Sequence, residues 1–245
     1  MSRTYNKPPL IEAACSFRFS SSQPWDWTIP GLLYEKISNN FPIKEQINTV
    51  ETIVDSTQGK LIQQTQPSLQ FLNEDRTAIV RIAPESLSIH QLHPYNGWAI
   101  FQAQILDSLQ LYYSAAHPNA LNRLGLRYVN RIGMSSINFE LEDYFKLVPS
   151  VPNPIPQIFP SFLLNIEVPY ETPQSGLRMI FGTVVPENEE RLAYILDFDM
   201  FSTNEIILFS EVSQWLEIAH ERISIAFDAA FTEKAHQEIF EEVNK

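Results

Sequence analysis

Arg123-Leu-Gly-Leu-Arg-Tyr-Val-Asn-Arg131 is the stretch on which the reading of this chain turns. Successive side chains of a β-strand point to opposite faces, so Arg123, Arg127 and Arg131 stand together on one face with Gly125 and Val129 between them. Leu124, Leu126, Tyr128 and Ile132 take the other face, which suits a core. Three guanidiniums in a row, in a chain of net charge −12, need either carboxylate partners or a bound anion.

Moving outward toward the N-terminus, Trp98, Phe101, Ile105, Leu109 and Tyr112 recur at helical spacing and predict an amphipathic helix over 97–115. Before it, Leu69–Leu72 and Thr77–Ala83 flank Asn73-Glu-Asp-Arg76 as a hairpin, and Leu87–Leu92 alternates as the next strand. The whole of 43–92 reads as a run of strands. Pro30 to Phe41 reads as a helix with proline at its start and Pro42 as its stop. Ile11–Ser20 alternates, with Ala13, Cys15, Phe17 and Phe19 on the apolar side and Arg18 on the polar side.

Toward the C-terminus, 149–160 carries five prolines in twelve residues and reads as an ordered crossover, since it cannot enter a sheet interior. Strands follow at 162–168, 177–185 and 192–199. A helix over 210–230 then has Val212, Leu216, Ala219, Ile223, Phe227 and Ala230 on one stripe, with Ser210 as its cap. Thr232 caps a short closing helix. Strand, strand, loop and a tryptophan-bearing helix describes both 77–115 and 177–230, with Trp98 and Trp215 as matched markers. The expected fold is therefore α+β: two similar halves of largely antiparallel sheet, each with a long helix, as an internal duplication forming one sheet or a half-open barrel. The halves are 1–148 and 161–245, joined through 149–160, and together they make either one domain or two.

Composition narrows the class. Hydrophobic residues make up 44% and charged residues 19%, an ordinary globular balance. No apolar run is long enough to span a membrane, and the polar start Met1–Lys7 is not a signal peptide. Cys15 can form no internal disulfide and reads as a buried thiol in a reducing cytoplasm. From Glu187 onward there are 14 Asp/Glu against 4 Lys/Arg, which disfavours a general nucleic-acid surface.

Single arginines punctuate other strands: Arg18, Arg81 and Arg178. If these strands are neighbours, they and Arg123, Arg127 and Arg131 line one surface suited to a small anion or an acidic protein segment. The competing reading, favoured of the two, pairs each with an acid on an adjacent strand: Glu12, Glu167, Asp197 or Asp199. Asp197-Phe-Asp199 places two carboxylates on one face, as in some acid/base or metal pairs, but no third ligand accompanies them. His90 and His93 fall on opposite faces, against joint ligation, and His220 reads as a solvated or interface histidine. There is no glycine-rich phosphate loop and no metalloprotease pattern, so no cofactor or metal is implied and nothing requires catalysis.

Asn6-Lys-Pro-Pro-Leu-Ile-Glu-Ala13, Ile29-Pro-Gly-Leu-Leu-Tyr-Glu35, Leu126-Arg-Tyr-Val-Asn-Arg-Ile132 and Trp215-Leu-Glu-Ile-Ala-His-Glu-Arg-Ile223 together resemble a sporadically distributed prokaryotic family of proteins of this length. The likeness spans nearly the whole chain. That family brings no assigned activity; its patchy occurrence implies an accessory system of the defence or toxin–antitoxin kind. The expectation is a cytoplasmic, non-enzymatic binding or partner protein using its arginine face, with a homo-oligomer open. The alternative is an enzyme on a nucleotide or phosphate ester, with Asp197 and Asp199 as acid/base or metal ligands.

Overall fold

The computed structural model describes residues 3–21, 25–55, 60–157, 159–204 and 206–243, with backbone alone for 49–55 and 60–64. Residues 56–59 of the expected strand run and Ile158 of the proline-rich stretch lie outside the described residues. The fold is α+β. Among the described residues nine strands form one sheet in the order β2-β3-β4-β5-β1-β6-β9-β8-β7, and the described registers are antiparallel. The strands are β1 Leu10–Ser20, β2 Ile43–Asp55, β3 Lys60–Leu72, β4 Ala78–Ala83, β5 Ser86–Leu92, β6 Ala120–Met134, β7 Leu163–Tyr170, β8 Ser175–Val184 and β9 Leu192–Ser202. The helices are α1 Ile29–Ile37, α2 Trp98–Ala116, α3 Leu141–Tyr144 and α4 Val212–Ala230. Among the described residues no helix is long and apolar enough to cross a membrane.

The chain divides into two compact units, the first comprising Met1–Ala13, Gly125–Thr203 and Gln214–Lys245, the second Ala14–Leu124 and Asn204–Ser213. In the second unit, alternation buries Cys15, Phe17 and Phe19 of β1 on the same side as the apolar stripe of α2. Phe101, Ile105, Leu109 and Tyr112 of that stripe are all buried, and Phe19 stacks on Tyr112 at a centroid distance of 4.5 Å. Burial pushes the Cys15 thiol well above its ordinary value, so it stays protonated as a core residue. Asn73 closes the β3–β4 hairpin, its side-chain oxygen accepting the Thr77 and Ala78 amides.

In the first unit, β6, β9, β8 and β7 pair in register, so residues opposite one another share a face. Leu126, Tyr128 and Ile132 of β6 join Phe198 and Leu196 of β9 and Phe181 of β8 on the inner face. Helix α4 covers it through Leu216, Ala219 and Ile223, and the Phe198 and Phe227 rings meet edge to face. Beyond α4, Phe231 and Phe240 close the core around His236, which lies in a single π turn over Ala235–Ile239.

One local expectation changes. Ser210 does not cap α4: it sits inside a 3₁₀ turn, Phe209–Glu211, where the Glu211 carboxylate accepts the Leu208 amide instead. The proline-rich stretch makes a tight turn, with the Ile155 amide donating to the Pro152 carbonyl.

Candidate functional site

The outer face of the first unit's sheet carries the charges. Register places Arg127 of β6 opposite Asp199 of β9, Asp199 opposite Arg178 of β8, and Arg178 opposite Glu167 of β7. One row across four strands therefore reads positive, negative, positive, negative. Val129, Asp197, Ile180 and Asn165 form the next row, and Arg131, Ile195, Gly182 and Leu163 the one after.

Arg127 does not pair with Asp199 directly across from it. Its guanidinium reaches diagonally to Asp197, donating from Nε at 2.9 Å and 3.1 Å and from Nη2 at 2.6 Å. Asp197 is almost fully buried, its side chain 5% exposed, whereas the Arg127 side chain is 50% exposed. A lone carboxylate at that depth would be costly, and a forked guanidinium offers two-point compensation. Asp197 in turn holds the Arg127 guanidinium above its ordinary value, so it is charged throughout the working pH range.

Arg131 is held further along β6. Its Nη1 donates to Glu190 Oε1 at 2.6 Å and its Nη2 to the Val185 carbonyl at 3.1 Å, with Glu187 at 3.6 Å from Nε. Gly133 makes room for this, because a Cβ there would lie 1.9 Å from Glu190 Oε1. Beside these carboxylates opens a cleft of about 710 Å³, whose Glu190 is taken by Arg131 and whose Glu238 accepts the Tyr144 hydroxyl. Arg178 is looser. Nη2 meets Glu167 at 3.3 Å, with side chains 40% and 53% exposed, and the guanidinium lies 5.3 Å from the Phe201 ring centroid.

The second unit treats its arginines differently. Arg81 of β4 donates to the side-chain oxygen of Gln70 at 3.1 Å, and Gln70 donates onward to Glu45 at 2.8 Å. Arg76 completes the chain on the other Glu45 oxygen at 2.5 Å. Arg123 donates to the Ser16 hydroxyl at 3.4 Å, and Arg18 stands on the exposed side of β1. The six arginines thus divide between the units: Arg127, Arg131 and Arg178 in the first, Arg18, Arg81 and Arg123 in the second.

Tyr128 lies on the inner face, as alternation requires, and its hydroxyl bonds His220 Nδ1 at 2.9 Å. His220 is therefore an inward residue of α4 rather than a solvated one, and burial lowers its pKa against the opposing pull of Glu217. His90 bonds the Ser88 hydroxyl at 2.8 Å. Among the described residues no group of three or more His, Cys, Asp or Glu is placed to hold a metal.

Sequence reasoning missed Glu190, Glu187 and the Gln70 relay. It also missed Arg222, which donates to Ser175 Oγ at 2.8 Å and to the Thr172 carbonyl while lying 4.1 Å over the Tyr170 ring. The readable signal for Glu190 was its place in the acidic loop just ahead of β9. No protein-family model matches the chain, and no curated protein matches it.

Proposed function

We propose that this chain is a non-enzymatic partner-binding protein of a prokaryotic accessory system, with the outer sheet face of its first unit as the docking surface. The observation that carries this reading is the half-exposed pair Arg127 and Arg178, standing either side of Asp199 on a face opposite the helix-covered core. Guanidiniums already backed by one carboxylate keep outward donor edges and lose little further freedom on binding, so they suit carboxylates of an acidic partner segment. Asp197 is committed to Arg127, which supports binding over acid/base chemistry at this pair.

The same reading treats the fold as a duplication. β1 with β5, β4 and β3 is followed by α2, and β6 with β9, β8 and β7 is followed by α4, in matching strand order. Each set has its last strand beside its first, and the tryptophan-bearing helix comes next in both.

An oligoglutamate peptide is the direct probe. In fluorescence anisotropy it should bind the wild-type protein in low salt, at dilutions where the chain is monomeric, and lose most of that binding to Arg178→Glu. Equal binding to both proteins would overturn the assignment of this face.

A further inference from the structure

The row on this face is self-complementary. Written in spatial order it is Arg127 on β6, Asp199 on β9, Arg178 on β8 and Glu167 on β7, so the signs alternate over an even number of strands. Consider a second copy laid face to face, related by a two-fold axis running along the strands midway between β9 and β8. That operation sets β6 over β7 of the other copy and β9 over its β8. Arg127 then meets Glu167 of the second copy, Asp199 meets Arg178, and both contacts occur twice because a two-fold interface uses one patch on both subunits. All four ionic contacts are between opposite signs.

The row of Arg131 fits the same operation. Ile195 comes over Gly182, whose outer side is filled by the Leu163 side chain of its own copy, and the aliphatic stem of Arg131 comes over Leu163, which is 72% exposed, so the groups that meet are apolar. Face-to-face sheets pack about 10 Å apart, a gap that arginine and glutamate side chains from opposing faces can bridge. A row of one sign would repel its own copy; this row attracts it in one orientation and opposes slippage by one strand, which would set like charges together.

We infer that the partner of this face is a second copy of the chain, joined as a two-fold dimer through the Arg127–Asp199–Arg178–Glu167 row. This rests on the docking assignment above and names the acidic segment as Asp199 and Glu167 of the other copy.

Charge reversal tests it by sedimentation velocity. Wild-type protein should be dimeric at low salt and shift toward monomer as ionic strength rises, because the contacts are between charges. Arg178→Glu alone sets two like pairs against Asp199, and Asp199→Arg alone sets two like pairs against Arg178, so each variant should be monomeric. An equal mixture of the two restores opposite signs at every contact and should dimerise as a heterodimer. Glu167→Lys, at an exposed edge-strand position, is the second variant should either reversal fail to fold, and it should also be monomeric. Wild-type protein that stays monomeric throughout overturns the second copy as partner, while leaving the oligoglutamate result to decide whether the face docks anything else. A dimer that persists in Glu167→Lys or in both reversal variants, or a mixture that does not dimerise, overturns it as well.

Discussion

The two units use arginine in two ways. In the first, Arg127 and Arg131 meet carboxylates directly; in the second, Arg76 meets Glu45 directly but the strand arginine Arg81 reaches that carboxylate only through the amide of Gln70. A direct pair with a buried acid makes the arginine indispensable to the carboxylate beneath it. A relay through a neutral amide spreads the charge over four side chains and three strands, and its failure leaves a polar group underbonded rather than a charge buried. Arg178 belongs to neither kind: its pair with Glu167 is exposed at both ends, where ion pairs contribute little to folding. An arginine that the fold hardly needs, on the row with the alternating signs, is the one to which the proposed docking assigns a role outside the fold.

Substitutions should rank accordingly. Arg127→Ala strands the Asp197 carboxylate and should lower unfolding stability by about 3 kcal/mol in urea titrations, while Arg127→Leu combined with Asp197→Leu should recover most of it. If the single and double variants are equally destabilised, the diagonal pair is not what holds Asp197. Gln70→Leu should cost about 2 kcal/mol by the same measurement, because it removes the link between Arg81 and Glu45. A cost near zero would mean the relay carries no weight in the second unit.

Acid should loosen the first unit. His220 and His236 are both held below the ordinary histidine value, chiefly by burial. Below about pH 6.5 the unfolded chain takes up protons that these folded imidazoles refuse. Their contribution is therefore complete above that pH and is lost as pH falls toward their folded values. Thermal midpoints should drop over that range, and His220→Gln should flatten the drop; an unchanged slope would remove His220 from the account. The smallest effect belongs to the exposed pair. Glu167→Ala should cost no more than about 0.5 kcal/mol, and a larger loss would make the Arg178 pair structural after all.

Much of the fold was legible in alternation and helical spacing, because α2, α4 and β6 each bury one regular face. The ion-pair partners Asp197 and Glu167 were legible too, as acids at alternating positions on neighbouring strands. Which aspartate Arg127 takes was not: register sets Asp199 opposite, but the guanidinium is long enough to reach the buried carboxylate one row away. Glu190 escaped notice because a loop residue has no periodicity, and only the pairing of Met134 with Leu192 brings its loop beside Arg131. His220 escaped because it lies one position past the apolar stripe, and its inward role depends on a tyrosine hydroxyl rising from the sheet.

Native mass spectrometry of the wild-type protein and Arg178→Glu, purified in parallel under gentle low-salt conditions, tests the proposed docking face most directly. The account predicts a bound protein mass on the wild type, equal to a second copy, and its absence from a variant that keeps the wild-type circular dichroism spectrum. The same species in both spectra would contradict it.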